Sequence, residues 1–135
     1  MVENIISYKQ AQELKELKFN SRTTHYYENG KLKLYTQSYF GWDFNNSFLT
    51  CCSAPTFEQV FDWLKEVHGL DGDIHLVQFL KNDVEFKIEA KDREYSYKII
   101  DQGITQFVSM DKIFKSITSA KKNCLDELIE MLKNK

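Results

Sequence analysis

Between residues 57 and 67 the apolar side chains of Phe57, Val60, Phe61, Leu64 and Val67 recur at steps of three and four. That spacing gathers them on one side of a helix, so it predicts an amphipathic helix here. Ala54-Pro55-Thr56 precedes the run, Thr56 and Gln59 stand three apart as a capping box requires, and Gly69 occupies the place of a left-handed stop. A second helix is predicted from about Tyr8 to Leu17, behind the pair Ser7 and Gln10. Its apolar stripe, Ala11, Leu14 and Leu17, is narrow, as on a helix lying against the surface of something larger. A third, from about Ala120 to Leu132, would bury Cys124, Leu125, Leu128, Ile129 and Leu132.

Elsewhere the periodicity is that of strands. Thr23 to Glu28 and Lys31 to Thr36 flank Asn29-Gly30, the dipeptide that most readily adopts the two positive φ angles of a type I′ hairpin turn. Further on, Ile74 to Leu80, Val84 to Ala90 and Glu94 to Ile100 are separated by Lys81-Asn82-Asp83 and Lys91-Asp92-Arg93, the pattern of an antiparallel meander. Val84, Phe86 and Ile88 share one face, as do Tyr95, Tyr97 and Ile99, while Glu85, Lys87 and Glu89 take the other. Asp71-Gly72-Asp73 reads as the turn between helix and strand. Gln37 to Ser53 reads as a loop that returns as a short strand near Phe48 to Cys52, and Ile104 to Ile117 fits neither period.

The expected fold is therefore α+β: a mainly antiparallel sheet of four to six strands packed against two or three helices, in the order α-β-β-α-β-β-β-α. No linker rich in Pro, Gly or Ser interrupts it, so residues 1–135 are expected to form one domain. A chain of 135 residues can bury roughly two thirds of the surface of its unfolded form. Apolar residues at 42% and aromatics at 14% supply the material for such a core.

Charge and cysteine content narrow the function classes. A net charge of −2 creates no whole-molecule field that would gather nucleic acid or anionic membrane. The N-terminal stretch lacks the basic start and apolar run of a secretory signal, and no apolar segment approaches a membrane span, so a soluble cytoplasmic protein is expected. Cys51, Cys52 and Cys124 are odd in number, and neighbouring cysteines rarely bridge, which suits reduced thiols.

Two stretches, Ser7-Tyr8-Lys9-Gln10-Ala11 leading to Leu14-Lys15-Glu16-Leu17 and Ala54-Pro55-Thr56 leading to Gln59-Val60-Phe61-Asp62-Trp63-Leu64, resemble small uncharacterised proteins encoded in phages, prophages and mobile elements of gut bacteria. The run Cys124-Leu125-Asp126-Glu127-Leu128-Ile129 extends the resemblance to the C-terminal helix. The chain departs from the pattern at Lys18, where a glycine is expected, and in the loop from Gln37 to Cys52. The resemblance implies a mobile-element context, and no activity.

A zinc site from Cys51, Cys52, Cys124 and one of His25, His68 or His75 lacks paired ligand spacing, and adjacent cysteines on a strand point to opposite faces. A cysteine nucleophile would need a histidine brought to it by the fold, and no nucleophile motif surrounds any thiol. Asp71 and Asp73 lack the further oxygen ligands of a calcium loop. No catalytic, cofactor-binding or metal-binding residue is therefore expected.

Tyr26, Tyr27, Tyr35, Tyr39, Phe40 and Trp42 near Lys31 and Lys33 have the composition of a base-stacking platform, although a core accounts for rings just as well. Rings outnumber what one loop buries between Gln37 and Ser53, which points to partner binding through Tyr39, Phe40, Trp42, Phe44 and Phe48. The opposing reading is that Phe40, Phe44 and Phe48 close one end of the core. The expected function is a non-catalytic interaction module, engaging a protein partner or a second copy of itself. A nucleic-acid accessory protein is the alternative, and a small enzyme with an unrecognised cleft is third.

Overall fold

Ser7 starts the first helix as its spacing predicts: its hydroxyl accepts from the Gln10 N–H at 3.2 Å, and its own N–H donates to Gln10 Oε1 at 3.1 Å. Helix α1 covers Tyr8–Glu16. It closes with Lys18 at φ 71°, while the Lys18 and Phe19 N–H groups donate to the carbonyls of Lys15 and Leu14. This is a left-handed closing turn that normally favours glycine. Phe19, fully buried beyond it, meets Trp63 edge-on with ring centroids 5.2 Å apart.

The computed structural model describes residues 4–77, 94–108 and 113–135. The expected strand Val84 to Ala90, the turns on either side of it and Gln78 to Leu80 lie outside those residues.

Asn29 and Gly30 take φ 53° and 79°, so the hairpin forms where Asn-Gly predicts it, with β1 at His25–Glu28 and β2 at Lys31–Leu34. The loop from Gln37 to Ser53 contains a short helix, α2 at Phe44–Ser47, and then β3 at Cys51–Ser53. Helix α3, Phe57–His68, has the capping box of Thr56 and Gln59 and stops at Gly69 in the left-handed region. Its buried face consists of Phe57, Val60, Trp63 and Leu64, because the stripe turns toward Phe19, and the expected Val67 is left 60% exposed.

Strand β4, Leu70–Val77, follows Gly69 at once, and β5, Glu94–Asp101, and β6, Ile104–Val108, complete the set before helix α4, Ile117–Lys133. Among the described residues the element order is thus α-β-β-α-β-α-β-β-β-α. The described strands are all antiparallel but do not form one sheet of four to six. They make two sheets of three, ordered β2-β1-β3 and β4-β5-β6. Helices separate them: α1 packs on β3 and α4, while α3 and α4 pack on β4 and α4 also on β5. Counting α2, the described residues hold four helices rather than two or three.

Asp71-Gly72-Asp73 is not a turn. These residues lie within β4, paired with Ile100, Ile99 and Lys98, because Gly69 alone reverses the chain. One contiguous cluster of buried side chains draws on both sheets, from Ile6, Leu14 and Cys52 through Val60 and Leu64 to Tyr97, Ile99, Cys124 and Leu128. The fully buried Tyr97 donates its hydroxyl to Asn123 Oδ1 at 2.7 Å, which supplies the partner that a phenol removed from water requires.

Candidate functional site

The loop between β2 and β3 is held in place by polar groups. Thr23 and Trp42 exchange two backbone hydrogen bonds of 3.0 Å each, and Gly41 just before them has φ 70°. A Cβ on Gly41 would stand 2.1 Å from the Thr23 carbonyl oxygen, so only glycine fits this crossing. Asp43 caps α2, accepting from the Asn46 N–H and, at 2.6 Å, from its side-chain amide. Asn45 ties the turn inward, donating to the Phe19 carbonyl and accepting from the Ser53 N–H, both at 2.9 Å. From α1, Lys15 Nζ donates to the carbonyls of Phe48 at 2.9 Å and Cys51 at 2.6 Å.

On this anchored loop the rings divide into two groups. Phe44 is only 2% exposed, stacked on Tyr26 at 4.4 Å and edge-on to Tyr35 at 5.4 Å. It seals the face of the first sheet that is turned away from the main core, so it is not available to a partner. Tyr39 is 100% exposed and Phe40 80%, while Trp42 and Phe48 are exposed over somewhat less than half of their surface. Leu49 at 99% and Leu34 extend this surface and were not among the expected contacts. Thus four of the five expected partner-binding rings face solvent: Tyr39, Phe40, Trp42 and Phe48.

Three of the cations near these rings are engaged, while Lys31 is left exposed. The Arg22 guanidinium lies over the Trp42 ring, 5.9 Å from its centroid. Lys33 pairs with Glu28 at 2.6 Å, and that ion pair holds the Glu28 carboxyl below its usual range. Lys15 is spent on loop carbonyls.

The three thiols are free and buried. Cys51 and Cys52 project to opposite sides of β3, Cys52 into the core and Cys51 beside Glu28, whose Oε2 accepts from its Sγ at 3.5 Å. Burial raises the pKa of both, and it pushes Cys124 up to about 12, helped by the nearby Asp73 charge. Thiols held in this way are poor nucleophiles. His75 is exposed on β4. Among the described residues no three metal-ligating side chains gather, and no helix is long and apolar enough to cross a membrane.

No family model, no curated protein and no solved structure matches the chain. Beside the ring surface, Leu34, Tyr35, Thr36 and Tyr39 help to line a cleft of about 420 Å³.

Proposed function

We propose that this protein is a non-catalytic interaction module that holds another protein through the exposed surface of Tyr39, Phe40, Trp42, Phe48 and Leu49. The observation that carries this reading is the full exposure of Tyr39 and Leu49 on a loop whose backbone is pinned at both ends. Large rings left in water on a mobile loop would lose ordering entropy on binding. Here the Thr23–Trp42 bridge and the Asn45 and Lys15 bonds already hold the loop backbone that carries them. Aromatic side chains are also the usual anchors of protein interfaces.

A nucleic-acid surface would need free cations beside its stacking rings. Arg22, Lys15 and Lys33 are each occupied by a neighbouring group, which favours a protein partner. The chain's near-neutral charge weighs the same way.

The test is photocrosslinking in the cell of origin, with p-benzoylphenylalanine placed at Tyr39 in one version and at the exposed Glu66 of α3 in another. A discrete adduct formed from position 39, absent from position 66 and lost with Phe40→Ser, is the expected result. Identical adduct patterns from both positions would rule the surface out. Light scattering across a concentration series distinguishes self-association from a different partner.

A further inference from the structure

The outer edge of β2 is largely exposed and runs toward Tyr39 of the ring surface. Among the described residues β2 pairs only with β1. In a two-residue hairpin the residues flanking the turn, Glu28 and Lys31, form a hydrogen-bonded pair, and the pattern then alternates. Tyr26 with Lys33 is the next such pair, and the Tyr35 N–H donating to the Thr24 carbonyl at 2.8 Å continues the series. Leu32 and Leu34 fall between, opposite Tyr27 and His25, so their N–H and C=O groups point away from β1. Those groups are the outer ladder of the sheet.

The side chains along this ladder also alternate. Leu32 and Leu34 share one face, and the exposed Lys31 and Lys33 share the other. Past Leu34 the same edge leads into the cleft of about 420 Å³, within the size range of ligand-binding clefts.

Deepening the interaction-module reading, and resting on it, we propose that the β2 edge takes up an extended peptide segment of the partner as an added strand. The segment bonds through its backbone to Leu32 and Leu34. It carries apolar residues opposite those leucines, a carboxylate opposite the exposed Lys31, and one larger side chain in the cleft. Charge selects this occupant. A second copy of β2 would place Lys33 opposite Lys33, or Lys31 opposite Lys33, when centred on residue 33 or 32, and like charges directly across a ladder repel. The lysines thereby discourage self-pairing at the edge, as edge lysines commonly do, and leave it open to an acidic strand.

The test uses the full-length chain and two labelled, end-capped octapeptides, one alternating Val and Glu and the other Val and Lys, followed by fluorescence anisotropy and amide hydrogen exchange. The acidic peptide is expected to bind about tenfold more tightly at low salt, since each cross-strand charge pair contributes in the same direction. On binding, it should slow exchange at the Leu32 and Leu34 amides. Leu34→Pro removes an outward donor that no internal bond uses, which an edge strand tolerates, so circular dichroism should be unchanged while peptide affinity falls by about tenfold. Lys31→Glu should shift the preference toward the basic peptide.

Equal binding of both peptides, or no added protection at Leu32 and Leu34, overturns the proposal. So does slowed exchange at those amides without peptide, accompanied by a doubled mass, which would assign the edge to a second copy. Failure here with crosslinks from position 39 intact refutes the strand-addition idea alone, whereas loss of the crosslinks refutes the interaction surface itself.

Discussion

Gly72 on β4 lies so close beneath Cys124 on α4 that a Cβ built on the glycine would come within 2.9 Å of the thiol sulfur and 3.0 Å of Leu128 Cδ1. The missing side chain is what lets α4 settle on the second sheet. Gly72→Ala is therefore expected to destabilise the protein by about 1–3 kcal/mol, the range for overpacking a core. Trimming the opposing group in Gly72→Ala/Cys124→Ala should restore part of that loss. Urea denaturation of the native chain and the two variants checks this, and a single-variant loss below about 0.5 kcal/mol, the scatter of neutral surface changes, would show that the helix simply moves away.

Lys18 presents the opposite case, a side chain where its absence would help. At φ 71° it adopts a conformation that costs an L-residue roughly 1–2 kcal/mol, in a closing turn where glycine is the usual occupant. Its side chain is exposed. Lys18→Gly should stabilise the fold by about 0.5–1 kcal/mol after the extra freedom of glycine in the unfolded chain is counted. Thermal unfolding measures the gain, and an unchanged or lower Tm would contradict it.

Cys124 makes stability depend on alkaline pH. Burial raises its pKa from 9.0 to about 12, so the folded protein keeps the thiol neutral while the unfolded chain ionises it. The stabilising contribution is fully present below pH 9 and falls away as pH rises toward 12, by up to about 1.4 kcal/mol per pH unit. Other groups titrate in this window, so the comparison is between the native chain and Cys124→Ala. The variant should be less stable at neutral pH because a core atom is lost, and its denaturation midpoint should fall less steeply between pH 9 and 11. Parallel slopes in the two proteins would refute the assignment.

Gly41 controls how the rings are displayed. Because its Cβ would meet the Thr23 carbonyl, Gly41→Ala should break the two-bond bridge between Thr23 and Trp42, with a strain of at least about 1–2 kcal/mol concentrated in the loop. Hydrogen exchange at the Thr23 and Trp42 amides should accelerate, while amides in α4 keep their protection. Uniform acceleration throughout the chain would mean that the loop and core open together, and that the loop is not a separable element.

What could be read from the sequence was local. Ser7 with Gln10, Thr56 with Gln59, Asn29 with Gly30 and the stop at Gly69 each act within about five residues, so their hydrogen bonds and φ angles are determined by neighbours in the chain. The same locality explains the clear hydrophobic stripes of α3 and α4. Asp71-Gly72-Asp73 misled because composition alone marks a turn there, whereas the use of the glycine depends on a helix some fifty residues further on. Asp43, three residues before Asn46, was a local cap that could have revealed α2.

For the candidate surface, the sequence by itself determined that the loop from Gln37 to Ser53 holds more rings than turns usually bury, and that Lys31 and Lys33 alternate with leucines on a strand. Only the tertiary structure decided which rings are spent. Phe44 disappears between Tyr26 and Tyr35 while Tyr39 and Phe40 remain in water. Gln10 illustrates the same division, because the capping amide predicted from its spacing also donates to Asp126 at 2.9 Å and to the Lys122 carbonyl across the α1–α4 contact. The physical reason is range. Caps, turns and stripes depend on residues a few positions apart, but burial and the engagement of Arg22, Lys15 and Lys33 depend on groups brought together by folding.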